Sequence, residues 1–80
     1  MNNSQQMLEA LEHQDLSKAE SFFQKALEED SDEVLLELAA YLEGIGFFPQ
    51  AAQIYEKLAP KFPEVYINLA AIAGEDGLIE

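Results

Sequence analysis

Catalysis needs a nucleophile, an acid–base group or a metal set, and this chain offers few. Its one histidine, His13, sits beside an expected helix end, and there is no cysteine, so no Ser-His, Cys-His or two-histidine metal arrangement can be assembled. His13 reads as a surface residue. The run Glu28-Glu29-Asp30-Ser31-Asp32-Glu33 gathers carboxylates as a hard cation requires, but lacks the mid-loop glycine and the distant bidentate glutamate of a calcium hand. An ordinary solvated connection is expected there. Paired glutamates for glycoside hydrolysis need a cleft that buries at least one of them, whereas the acidic residues here are scattered over predicted outer or groove faces. Gly44-Ile45-Gly46 has neither a third glycine nor an adjacent lysine and reads as a helix end rather than a phosphate loop. No catalytic residue, cofactor or metal is expected, and the chain reads as a non-enzyme.

Charge points toward binding. Sixteen Asp and Glu stand against four Lys and no Arg, for a net charge of -12. Nucleic acid and anionic membrane are therefore disfavoured, since both need clustered basic residues to neutralise phosphates. A basic partner is permitted, although an acidic surface can also serve solubility alone. No apolar run approaches the roughly 18 residues of a membrane span, and the N-terminus lacks a basic flank ahead of an apolar stretch. With cysteine absent, a reducing, cytoplasmic location is the expectation.

The elements that must carry any binding face are helices. Apolar residues recur at three and four, as in Met7, Leu8, Leu11, then Leu35, Leu38, Leu42, then Ile54, Tyr55, Leu58. Breaks fall at Gln14-Asp15, Asp30 to Asp32, Gly44 to Gly46, Ala59 to Pro63 and Gly74 to Gly77. Ser17, Ser31 or Asp32 can cap helix starts, and Pro63 suits a first turn. Five helices follow, at about 3–14, 17–29, 32–44, 47–59 and 63–73, with short antiparallel connections. At 80 residues, 49% of them hydrophobic, the chain must use nearly all its apolar side chains for packing. Phe22, Phe23, Phe47, Phe48, Tyr55 and Tyr66 read mainly as core, with Phe22 and Phe48 the two that could face outward.

The sequence also repeats. Asp32-Glu33-Val34-Leu35-Leu36-Glu37-Leu38-Ala39-Ala40 aligns with Pro63-Glu64-Val65-Tyr66-Ile67-Asn68-Leu69-Ala70-Ala71 at a shift of 31, continuing to Gly46 and Gly77. Ala19, Phe23 and Lys25 meet Ala51, Tyr55 and Lys57 at a shift of 32. Helical hairpins at this period imply a solenoid, in which a unit buries its face only against its neighbours. Leu35, Leu38-Ala39, Leu42, Ala51, Tyr55 and Pro63 keep the bulky, Leu-small, bulky, Ala, aromatic, Pro spacing, and in this the chain resembles the tetratricopeptide-repeat family. Met7-Leu8, Leu11, Ala19, Phe23 and Ala26 follow the pattern with a turn one residue short and Ser31 in place of proline. Tyr66, Leu69-Ala70 and Ala73 open a third unit. The resemblance spans about residues 5–80 and divides the chain into a degenerate repeat 1–31, a full repeat 32–62 and the first helix of a truncated repeat, 63–80. The period is shorter than the usual length of about 34 residues.

That resemblance implies a right-handed, all-α solenoid acting as a protein-interaction scaffold, with the first helix of each repeat lining a concave groove. By helical spacing the groove face holds Gln5, Glu9 and Glu12, then Glu33, Leu36, Ala40 and Glu43, then Glu64, Ile67, Ala71 and Glu75. An apolar floor with an acidic rim would take a basic or amphipathic peptide or protein. The alternative is a structural segment of a longer repeat protein, used for self-association. The chain is expected to be an N-terminal fragment, because the helix Val65 to Ala73 has almost no polar face. Left uncovered, it should form a homodimer. Adaptors that grip a C-terminal carboxylate with basic groove residues are a poor match. Lys18, Lys25, Lys57 and Lys61 all fall on or just beyond second helices, and Asn68 alone resembles a clamp residue.

Overall fold

The computed structural model describes residues 2–76, with side chains described through Gly74. Five helices run in order: α1 (Asn3–Glu12), α2 (Leu16–Glu29), α3 (Asp32–Gly44), α4 (Phe48–Leu58) and α5 (Val65–Asp76). No strand occurs among the described residues, as the three-four periodicity predicts. None of these helices is long and apolar enough to cross a membrane. The chain divides into two compact units, one up to Leu35 and one from Leu36 onward, so the boundary falls within α3.

In the first unit α1 and α2 pack together as an antiparallel hairpin. Asn2 and Gln5 form a reciprocal capping box at the start of α1, the Gln5 N–H donating to Asn2 Oδ1 at 2.8 Å and the Asn2 N–H to Gln5 Oε1 at 3.0 Å. The helix stops two residues earlier than expected because Gln14 turns left-handed, with φ 59°. This lets the N–H groups of Gln14 and Asp15 donate to the carbonyls of Leu11 and Ala10. Asp15, rather than Ser17, caps α2, accepting from the Lys18 N–H at 3.1 Å. Buried Met7 and Ala10 on α1, and Ala19, Phe23 and Ala26 on α2, form stripes at helical spacing, with alanines that allow the helix axes to approach closely.

One carboxylate ties the two ends of this hairpin. Asp30 Oδ2 accepts from the Ser4 N–H at 2.8 Å and from the Ser4 Oγ–H at 2.7 Å, while Asn3 Nδ2 donates to Asp30 Oδ1 and to Glu29 Oε1, both at 3.1 Å. Asp30 therefore places negative charge at the N-terminus of α1, where the helix dipole favours it. The acidic run that tempts a calcium reading thus serves a structural role in this segment. Among the described residues no group of acidic or histidine side chains is arranged to hold a metal.

The second unit contains α4 and α5, which pack on one another, and the larger part of α3. The α3 end is closed by the Ile45, Gly46 and Phe47 N–H groups, which donate to the carbonyls of Tyr41, Glu43 and Leu42. Gly46, at φ 90°, supplies the left-handed residue. Ala39, Leu42, Ala51 and Ile54 are fully buried, with Leu38, Tyr55, Leu58, Val65 and Ile72 nearly so. Pro49 lies in the first turn of α4. Pro63, expected to open α5 itself, sits just ahead of it. The carbonyls of Phe62, Pro63 and Glu64 accept from Val65, Tyr66 and Ile67, a tight three-residue spacing that leads into the helix. At the other end α5 continues through Gly74 to Asp76, beyond the stop expected at 73, since one glycine in a helix is only a modest cost. The repeat match at Gly77 lies outside the described residues.

Asp30→Ala should destabilise the first unit by about 1–2 kcal/mol, because it strands the buried Ser4 hydroxyl and the Ser4 N–H in the first turn of α1, while the Asn2–Gln5 box remains. Ser4→Ala, which removes one of these bonds together with its donor, should cost less. Urea unfolding midpoints of the two variants check the order.

Candidate functional site

The second unit carries an open depression of about 630 Å³ lined by Ala40, Glu43, Gly44, Ile45, Gly46, Phe48 and Ala71. It draws on three helices and the α3–α4 turn. Ala40 and Ala71 are exposed, and their short side chains leave room for an incoming chain to approach the helix backbones. Ile45 is 47% exposed and Phe48 is half-buried. Among the described residues Glu43 is the only charged one of the lining. It lies in the last turn of α3, where the helix end adds partial negative charge of its own.

Glu43 does not stand alone. The Tyr55 hydroxyl, on α4, donates to Glu43 Oε1 at 3.1 Å. Tyr55 is only 3% exposed, so its ring is fixed by the packing of α4 and its hydroxyl must find a partner inside the protein. Burial first, and then the hydrogen bond to and the charge of Glu43, raise the Tyr55 pKa from 10.0 to about 12. The carboxylate is thus anchored through one oxygen, while its chemistry allows the second to accept further donors.

Three of the groove residues expected from helical spacing, Ala40, Glu43 and Ala71, come together in this depression. Leu36, half-buried, lies one turn before Ala40 on α3, and Ile67, 76% exposed, one turn before Ala71 on α5. Glu64 is exposed in the turn ahead of α5, and the Glu75 side chain lies outside the described residues. In the first unit Glu9, Glu12 and Glu33 are exposed, and Gln5, also exposed, has its amide oxygen engaged in the capping box. Spacing alone missed four lining residues, Gly44, Ile45, Gly46 and Phe48. Phe48 had a signal, as one of two aromatics able to face outward. The turn residues had none, because a period of 3.6 assigns no face once the helix ends. Phe22, the other such aromatic, is half-buried with the Lys25 Nζ 5.2 Å from its ring centroid. His13 is exposed at the end of α1.

Because the raised pKa belongs to an acid held neutral in the fold, Tyr55 contributes stability that is complete below pH 10 and is lost as pH rises toward about 12. Alkaline titration followed by tyrosinate absorbance should show a step near pH 12 that disappears in Tyr55→Phe. Glu43→Gln removes the charge and leaves burial as the largest cause, so the same step should move down while staying above 10.

Comparisons with protein-family models, curated proteins and solved structures return no match, so the depression and its Tyr55–Glu43 pair are the ground on which function is argued.

Proposed function

We propose that this chain is a non-catalytic protein-interaction module that receives a basic or amphipathic peptide segment on the face carrying Ala40, Glu43 and Ala71. The observation that carries this reading is the depression of the second unit, whose described lining has small and apolar residues for its floor and walls and one carboxylate. Such a surface offers apolar burial to one side of a partner and charge pairing to another, which is how an amphipathic segment is recognised. The net charge of -12 favours encounter with a basic partner over nucleic acid or an anionic membrane. The lone histidine and the absence of cysteine leave little for catalysis, and the latter suits a cytoplasmic setting.

A tetratricopeptide-type architecture gives this reading its wider frame. It is supported by the repeat at 31 and 32 residues and by the burial of Ala39 and Ala51, with Leu42 and Tyr55 beside them, at the positions where that pattern requires small and bulky residues. In such an architecture α1, α3 and α5 are the groove helices of a right-handed solenoid.

The test is a titration of fluorescent basic-amphipathic helical peptides, read by anisotropy at low and high salt. Binding should weaken as salt rises, since the acidic contribution is screened. Ala71→Arg fills the depression and adds like charge on an exposed helical position, and should weaken binding at least about tenfold, or 1.4 kcal/mol. Equal binding by parent and variant would remove the depression as the site.

A second reading, self-association, is favoured by one specific observation. Tyr66 is 59% and Ile67 76% exposed on α5, with Ala70 and Ala71 also exposed and no charge between them. A homodimer through this helix would cover them. Light scattering over a concentration series should then show dimer that Ile67→Glu abolishes; a monomer at every concentration rejects this reading and leaves the first standing.

A further inference from the structure

Resting on the reading of the depression as a binding site, we infer that it selects one Lys or Arg side chain of the partner, and that Tyr55 is the residue that positions Glu43 to receive it. Asp30, Glu43 and Glu29, the last exposed on α2 and bonded by Asn3, each accept side-chain hydrogen bonds from another helix, and they differ in what remains to them. Asp30 has both oxygens engaged, by Asn3 and by Ser4, at the capped end of α1. Glu43 has Oε1 engaged by Tyr55, and it lines an open depression rather than a helix start. Of the three, only Glu43 lines a depression with apolar walls, where a ligand's stem can lie while its head group reaches the carboxylate.

The remaining lining suits the long stem of a basic residue. Lys and Arg carry three or four methylenes that gain by lying on apolar surface while the head group keeps polar partners. Ala40, Ala71, Ile45 and Phe48 supply such a surface. The Phe48 ring adds a face on which a cation can rest, as Lys25 rests near Phe22 elsewhere in this chain. At the head of the stem, the Glu43 carboxylate and the C-terminal end of α3 attract the same sign of charge. No basic residue of the chain lines the depression to compete for it.

Tyr55 matters through Glu43 rather than by touching the ligand. A glutamate near a helix end samples several rotamers, and a cation that binds it must stop that motion. The hydroxyl of a ring already immobilised in the core holds Oε1 in advance, so less ordering remains to be done on binding. A purely structural bond would satisfy Tyr55 equally well with a glutamine at position 43. The inference demands the carboxylate.

The experiment takes the tightest-binding peptide of the basic series and replaces its lysines, one at a time, by norleucine, against the parent chain, Tyr55→Phe and Glu43→Gln. One lysine should account for about tenfold in affinity on the parent chain, the scale of one charge-assisted hydrogen bond. That factor should vanish on Glu43→Gln and shrink to about threefold on Tyr55→Phe. The corresponding norleucine peptide should bind all three proteins alike, which also shows that the variants fold. If no peptide in the series binds, the reading of the site falls. If peptides bind but no single lysine stands out, or if its factor is unchanged in Tyr55→Phe, the site stands and this inference is overturned.

Discussion

The second unit depends on a single constraint: a tyrosine hydroxyl carried into a packed interior must have an acceptor. Tyr55 fills space beside Ala51 and Ile54 on α4, and no aliphatic residue would present its oxygen. Glu43 supplies the acceptor from the last turn of α3. Its carboxylate is consequently held beside the Gly44-Ile45-Gly46 turn, at the wall of the depression. Among the described residues no buried side-chain polar atom is left without a partner, so this bond belongs to a complete pattern of satisfied polar groups.

The first unit answers a related problem with different residues. There the exposed N–H groups of a helix start need an acceptor, and Asp30 provides it from the far end of the hairpin. Asn2 and Asp15 do the same locally. In a chain with sixteen acidic residues, two of the carboxylates that look like a surplus of charge, Asp15 and Asp30, accept from the N–H groups of helix starts. Only where the acceptor stands at an open depression does the same chemistry become available to a partner.

Much of this was legible in the sequence. Met7, then Ala19, Phe23 and Ala26, mark two helices and their buried stripes by spacing, although Leu8 and Leu11, grouped with Met7 in the sequence, are only half-buried and Ala10 takes the buried position. The left-handed Gly46 and the Ser31 cap, whose Oγ accepts from the Val34 N–H at 3.3 Å, follow from local rules that need no tertiary information. Ala40, Glu43 and Ala71, which helical spacing assigns to one face of their helices, line the same depression. Other features lie beyond such rules. Gln14 in a left-handed turn is a choice made by the hairpin, since nothing in a glutamine favours φ 59°. The Asp30 cap and the Tyr55–Glu43 bond join residues 26 and 12 positions apart, and no periodicity reports a partner at that distance. Phe48 and the turn residues enter the site because the backbone reverses there.

These long-range bonds also decide which acidic residues can discriminate. A glutamate on an exposed helix face, such as Glu9 or Glu12, attracts any cation, but solvent screens it and its own mobility blunts selectivity. Exposed charges of this kind change the rate of encounter with an oppositely charged molecule more than they change affinity. Glu43 is half-buried and fixed by a core tyrosine, beside apolar surface that excludes water from part of its surroundings. Partial desolvation strengthens an ion pair only when the carboxylate need not reorganise to meet its partner, and immobilisation by Tyr55 meets that condition. In the proposed module the diffuse acidic surface and the anchored Glu43 carboxylate would therefore play separate parts, the former in bringing a basic segment near and the latter in choosing which of its side chains enters.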